Sequence, residues 1–314
     1  MKVPRLIANR RQFRPFDALV TVERTSTILK RLPGPKPFMI HIPHGAGDRA
    51  RSLDDRIKLF DHLIVAGPKD RRRMIAEGLV DPDHCDIAGY VKLAGVRRLA
   101  AGRPARLFDN DRPTIVYNAH FDSALSSWEK FAAPLIDAIT LDGRFNLIVA
   151  PHIRLFQQCT AEVRAAWESR SIPDRIIVDL GSERSRDMTY IRAADIYVGD
   201  VSSQIYEFLA TPRPCIFIDA HKADWQGNAD YAMWQLGPVV DDMDGLMKEL
   251  GRAEARHADF IGLQRAAIAD TFGEAGDDAP ALAARQIIAA VARNGGLKML
   301  PAGVSPNRDC ASHT

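Results

Sequence analysis

The chain has 314 residues, enough for two ordinary domains that each bury a core of their own. Hydrophobic residues make up 46% of it and charged residues 26%, the composition of a soluble globular protein. Its 42 basic and 40 acidic side chains leave a net charge of +2, so there is no electrostatic footprint for nucleic acid and no such partner is expected. Apolar runs such as Ile176-Ile177-Val178 and Cys215-Ile216-Phe217-Ile218 have the length of core strands and are too short to span a bilayer. No sustained apolar core follows Met1–Arg11, so no signal peptide is read. Cys85, Cys159, Cys215 and Cys310 lie far apart without a CxxC pair, and Cys85 and Cys215 read as buried thiols in apolar runs. A reducing cytoplasm fits this usage, with no zinc site and no cofactor expected.

In chain order, Phe16–Glu23, Pro37–Ile42, His62–Ala66 and Cys85–Ala88 read as strands. Helical runs at Thr25–Arg31 and Lys69–Glu77 separate some of them. A basic stretch punctuated by Gly and Pro, Val96–Pro104, follows, and the rhythm restarts at the strand Thr114–Asn118. Then come a helix over Ser127–Thr140, the strand Asn146–Ala150, a helix near Phe156–Ser169, the strand Arg175–Asp179 and a helix over Arg186–Ala194. The strand Ile196–Val198 precedes a helix over Ser203–Leu209, and Cys215–Ile218 is again a strand. Asp242–Asn294 reads as helical, and its Ala-rich run Pro280–Ala292 can pack back across a cleft.

This alternation predicts an α/β fold of two doubly wound, Rossmann-like lobes, with the ligand cleft between them at the carboxyl ends of the strands. The boundaries expected are a first lobe over 1–95, a linker over 96–112, a second lobe with C-terminal helices over 113–295, and a disordered tail over 296–314. The first lobe reads as shortened, because residues 1–15 are basic and carry no clear strand.

Four strand ends carry candidate chemistry. In Gly199-Asp200-Val201-Ser202-Ser203 a strand gives way to a helix whose free N–H groups and serine hydroxyls attract an anion. One turn on, Glu207 can hold a ribose or glycerol hydroxyl. The competing reading is that Asp200 and Ser202 only cap the helix. In Met39–Asp48 an apolar strand runs into His44-Gly45, where glycine lets backbone approach a ligand and His44 can act as a general base. The competing reading there is a turn with a surface histidine, and His41 reads as a core residue. Asn146–Arg154 repeats the pattern, and His152 or Arg154 can offset charge on a diphosphate. Tyr117–Asp122 ends with His120 and Asp122, which line the cleft or simply form a loop. Arg71-Arg72-Arg73 reads as a solvated helix face, and the loop between Trp225 and Trp234 as a border of the nucleotide base or a packed surface loop. There is no GxxxxGK[ST] or HExxH pattern, so no metal site is implied.

Together these segments resemble the CDP-glycerol glycerophosphotransferase family, relatives of the UDP-N-acetylglucosamine 2-epimerases. Pro43-His44-Gly45-Ala46 is similar to the family's Trp-His-Gly-Thr-like strand end, and Ala150-Pro151-His152-Ile153 to its Arg-Pro-His-Pro. Its Thr-Asp-Tyr-Ser-Ser, aromatic-acidic helix and Arg-Pro are matched by Gly199–Ser203, Tyr206-Glu207-Phe208 and Arg213-Pro214. Thr114–Asp122 resembles its strand ending in Thr-x-Arg-Asp. The resemblance spans about residues 37–220. Departures are Pro43 for the tryptophan, Ala150 for the arginine before Pro-His, Phe121 for the arginine before Asp122, and Asp48-Arg49 where a lysine often stands.

The resemblance implies a GT-B fold with the acceptor and base in the first lobe and the nucleotide donor in the second. Carried over by position, His44 and His152 become the catalytic candidates. Asp200, Ser202, Ser203 and Glu207 become donor contacts, with Gly45, His120, Asp122 and Arg154 lining the cleft. The implied reaction moves glycerol phosphate, or a related polyol phosphate, from a CDP-linked donor to a hydroxyl acceptor in cell-envelope polymer synthesis. The implied acceptor is a lipid-linked one met at the inner face of the plasma membrane by peripheral contact. A nucleotide-sugar glycosyltransferase or epimerase, and a non-catalytic nucleotide-binding module, are the alternatives.

Overall fold

The computed structural model describes residues 2–13, 15–45, 47–48, 54–99 and 106–295. Ala46, Arg49, residues 100–105 of the expected linker, Cys310 and the expected tail at 296–314 lie outside them.

The chain opens with a helix, α1 (Lys2–Ala8), where the sequence showed only basic residues without a strand. The first sheet is parallel, β1 (Ala18–Thr21), β2 (Phe38–His41), β3 (His62–Val65) and β4 (Cys85–Ile87), in that spatial order. Between β1 and β2, the expected helix is a 3-10 turn, Arg24–Thr27, running into the short α2 (Ile28–Arg31). Helix α3 (Pro68–Ala76) follows β3, with Pro68 in its first turn, where a missing N–H costs nothing. Helix α4 (Val91–Leu99) follows β4, so residues 96–99 of the expected linker are helical.

Alternate residues of these strands face opposite ways and bury different partners. Met39, Leu63, Val65 and Cys85 pack with Met74 of α3 and with Ile57 and Phe60. Ile40, Ile64 and Ala88 pack with Ala283, Ala290 and Val291. Those last three belong to α11 (Ala279–Arg293) at the far end of the chain. The Ala-rich run therefore returns to the first lobe and covers a face of its sheet. The preceding helix, α10 (Ala253–Phe272), ends against the first lobe as well, with Arg72 paired to Asp270 by two hydrogen bonds of 2.8 and 2.7 Å. Gly67 is required there, since a Cβ on it would lie 2.4 Å from the Thr271 carbonyl oxygen.

The second sheet has six parallel strands: β5 (Thr114–Asn118), β6 (Asn146–Val149), β7 (Ile176–Val178), β8 (Ile196–Gly199), β9 (Cys215–Ile218) and β10 (Val239–Val240). Their spatial order is β10-β9-β8-β5-β6-β7. Counted from β5, that is the Rossmann order, and its reversal point lies between β5 and β8. Strands β5, β6, β8 and β9 are buried along their whole length, which explains why they read as continuous apolar runs. One face packs on α5 (Trp128–Asp142) and α9 (Met243–Leu250), and the other on α7 (Thr189–Ala193), α8 (Gln204–Phe208) and Trp234. The remaining helix, α6 (Ala161–Glu168), is capped by Thr160, whose hydroxyl accepts from the Val163 amide. No helix among the described residues is long and apolar enough to cross a membrane.

Candidate active site

In an open α/β sheet a ligand crevice forms outside the strand ends where the strand order reverses. Here that point lies beyond Asn118 and Gly199, which are paired in register. Glycine is required at 199 because a Cβ would meet the Asn118 carbonyl oxygen at 2.6 Å. Buried Asn118 donates a side-chain hydrogen bond to the Ala150 carbonyl at 2.7 Å and accepts one from the Tyr197 hydroxyl at 3.3 Å, so the ends of β5, β6 and β8 are tied together. A cleft of about 800 Å³ opens above this knot, lined from the second lobe by His120, Phe121, His152, Arg154, Ser202, Ser203 and Glu207. From the first lobe it is lined by His41, His44, Gly45, Asp48, Arg73 and Lys92. Most of the residues expected at the site meet here, but two do not line the cleft.

Asp200 is fully buried beneath the cleft floor. One of its carboxylate oxygens accepts the amides of His120 at 2.8 Å and Ser127 at 2.9 Å. Burial is the largest influence on it and pushes its pKa up to about 6, against the hydrogen bonds from Ser127 and His120. It holds the loop after β5 and does not reach the cleft. Asp122 faces its own turn, its carboxylate accepting the Ala124 amide at 3.2 Å and its carbonyl those of Leu125 and Ser126 at 2.9 Å. The loop reading therefore describes Asp122, whereas Asp200 neither lines the cleft nor caps α8, whose N-terminus has no side-chain cap, but accepts amides of the segment after β5.

The four histidines lining the cleft all engage Nδ1, and they differ in whether that nitrogen donates or accepts. His44 sets Nδ1 3.2 Å from the Val22 carbonyl, a contact that needs a proton on Nδ1 and leaves Nε2 as the acceptor. His152 accepts the Arg154 amide on Nδ1 at 3.2 Å, and His120 accepts the Asp122 amide on Nδ1 at 3.0 Å. Both of those rings then carry their proton on Nε2. Burial, then the Arg154 guanidinium, hold the His152 pKa below its ordinary value, so the ring is a neutral N–H donor near pH 7. Arg154 lies 4.0 Å over the Phe121 ring, which itself sits 4.7 Å from His152. His41 is buried and stacked on Phe60 at 4.6 Å, as a core residue should be, although its edge reaches the cleft wall.

At the mouth of α8, Ser203 is exposed and Ser202 accepts the Gln204 amide at 3.3 Å. The His44-Gly45 loop comes over this mouth. A Cβ on Gly45 would lie 3.7 Å from the Ser203 hydroxyl, and one on Gly47 3.0 Å from the Ser203 Cβ. The Glu207 carboxylate receives Tyr90 Oη and Lys92 Nζ, each at 2.7 Å. Sequence reasoning missed this pair. Tyr90 and Lys92 follow β4 directly, so the strand-end rule applied to Ala88-Gly89-Tyr90 would have found them.

Three other segments singled out in the sequence find their partners in the structure. The solvated-face reading of the arginines at 71–73 holds for Arg72, which is exposed and pairs with Asp270, while Arg71 holds the carbonyls of Cys85 and Pro82, and Arg73 holds the Asp48 carbonyl and lines the cleft. Arg213 places its guanidinium on the carbonyls of Ile191, Ala194 and Phe208, closing the ends of α7 and α8. Trp225 and Tyr231 pack edge-on against buried Trp234, so the loop between the tryptophans is packed, and its Met233 lines the cleft.

Two Rossmann-like lobes facing one cleft at their strand ends define the GT-B fold. No protein-family model matches the chain, and no curated protein matches it. Solved structures do. The wall teichoic acid polymerase TagF, in a variant soaked with CDPG, superposes with a TM-score of 0.62 at 16% identity, over 88% of this chain and 73% of that one. A putative UDP-N-acetylglucosamine 2-epimerase from Listeria monocytogenes gives 0.61 at 12% identity, over 94% of this chain and 78% of that one. MnaA of S. aureus, solved with UDP, gives 0.60 at 12%, over 97% and 81%. At these identities the likeness is one of fold.

Proposed function

We propose that the chain is a transferase that moves glycerol phosphate, or a related polyol phosphate, from a CDP-linked donor to a hydroxyl acceptor. The observation that carries this reading is the opposed state of the cleft histidines. His44 offers an acceptor nitrogen from the first lobe, and His120 and His152 offer N–H donors from the second. In the reaction, His44 Nε2 takes the proton of the acceptor hydroxyl, whose oxygen attacks the phosphorus bearing the polyol. The new bond is acceptor oxygen to phosphorus, and the bond broken is the diphosphate bridge, so CMP leaves with the electron pair. His152, Arg154 and the Ser202-Ser203 mouth stabilise the charge gathering on that leaving group. Glu207 exchanges Tyr90 or Lys92 for a donor hydroxyl. Asp200 acts beneath them by fixing the loop that carries His120.

Two other classes share this cleft: an enzyme acting on UDP-linked sugars and a nucleotide-binding module without turnover. Thermal shift with CDP-glycerol and with UDP-sugars separates the first from the proposal. The His44→Ala variant separates the second. It is expected to lose CMP release by about 10²–10⁴-fold, the worth of a general base, while still binding donor. Normal turnover in that variant removes the assignment of His44, and donor binding without turnover in the parent chain favours the module.

A further inference from the structure

Tyr206 and Glu207 are consecutive on α8, and each reaches the first lobe. Glu207 takes contacts that a ligand can replace. Tyr206 does not line the cleft, and its buried hydroxyl donates to the carboxylate of Asp48, a residue only 2% exposed. The same carboxylate takes the Lys69 ammonium at 2.8 Å, and that ammonium lies 3.7 Å over the Tyr206 ring. Arg73 donates to the Asp48 carbonyl, fixing the backbone as well. Burial, with Asp48 beside it, pushes the Tyr206 phenol well above its ordinary value, so the hydroxyl keeps its proton at any working pH. Asp48 stands four residues after His44, and Gly47 between them packs on Ser203. The loop that carries the first-lobe histidine is thereby fastened to the helix whose mouth faces the second-lobe sheet.

We propose that Tyr206 and Asp48 are positioning residues whose hydrogen bond sets the separation between His44 and the Ser202-Ser203 mouth. The proposal rests on the reading of His44 as base and of that mouth as the donor site. Attack geometry tolerates little error, and a displacement of about 1 Å can cost about 10²-fold in rate. Tyr206→Phe removes the hydroxyl and keeps the ring that packs under Lys69. Asp48→Asn keeps an oxygen for Tyr206 and removes the charge facing Lys69.

The test measures two things on the full chain. One is the distance distribution between spin labels on the lobes, at Cys159 and at Glu77→Cys, with Cys310→Ser. The other is turnover of CDP-glycerol. Tyr206→Phe is expected to broaden the distance distribution and to lower kcat by about ten- to a hundredfold, with donor KM held within about twofold. The double variant with Asp48→Ala, which removes the acceptor at the other end, should be no worse than the poorer single variant, as for two ends of one bond. An unchanged distance distribution, an unchanged kcat, or a loss that falls on donor KM overturns the proposal. If the parent chain turns over no CDP-linked donor, the transferase reading fails separately, and the distance distribution alone decides whether the latch exists.

Discussion

The two lobes build their halves of the cleft by different means. The second has six strands in Rossmann order, so the reversal between β5 and β8 creates a crevice wherever the side chains happen to be. The described strands of the first run in simple sequence order, with no reversal, and it contributes a loop, a helix start and a latch. One lobe makes its site by topology and the other by contacts made after folding. The first lobe also borrows a cover for its sheet from α11, which lies some two hundred residues downstream of the strands it packs on. The cover is therefore supplied by a segment that the first lobe does not carry itself, so this lobe should be the more easily disturbed by changes at α11.

Ending the chain at residue 273 gives the largest expected effect. It uncovers Ile40 and Ile64, together with the half-buried Phe38 and Ile42, a loss of about 6 kcal/mol by burial alone. Hydrogen exchange resolved along the chain should then show β1–β4 unprotected while β5–β9 stay protected. Equal loss in both lobes would mean that they do not fold as separable units.

Next is Asp200→Ala, aimed at the knot of the second lobe. It leaves the His120 and Ser127 amides without their acceptor, at about 2 kcal/mol each. A lowered melting temperature together with weakened donor binding is expected. Lost binding at an unchanged melting temperature would instead make Asp200 a direct ligand contact.

The smallest effect is in pH, where buried histidines (His41 in the first lobe, His152 in the second) and buried carboxylates (Asp70 in the first, Asp200 in the second) act with opposite signs. Burial lowers the His41 pKa from 6.5 to about 4, partly offset by its bond to the Thr21 carbonyl. Above pH 6.5 the ring is neutral in both folded and unfolded chains. As pH falls from 6.5 to about 4, the unfolded chain takes a proton that the folded one cannot, and the first lobe loses up to about 3 kcal/mol. Asp200 has the opposite sign. Its folded pKa of about 6 exceeds the ordinary 3.8, so its contribution rises as pH falls through that window. Exchange at pH 7 and pH 4.5, corrected for intrinsic rates, should show protection of β2 around His41 lost at the lower pH. His41→Gln should flatten that difference, and an unaltered profile in this variant would remove His41 as its cause.

Much of this fold was legible in the residues because parallel strands buried on both faces must be continuous apolar runs. Thr114–Asn118, Asn146–Val149 and Cys215–Ile218 were therefore readable almost to the residue. Strand ends followed by glycine, histidine or serine were readable too, and they supplied His44, His120, His152, Ser202, Ser203 and Glu207, all of which line one cleft. The short α1 and the two-residue β10 carried too little periodicity to be found.

What the sequence could not give was direction and partnership. Asp200 and Glu207 are both acidic residues near one helix start, yet one points down into two backbone amides and the other into the cleft. Which way each turns depends on strand order, and strand order is set by packing between segments far apart in the chain. Tyr206 and Asp48 are separated by 158 positions, and Ile40 and Ala283 by still more. The local pattern determined where strands end and which polar groups stand there. Only the tertiary structure decided which of them face each other, because hydrogen bonds and buried contacts depend on distance in space rather than along the chain.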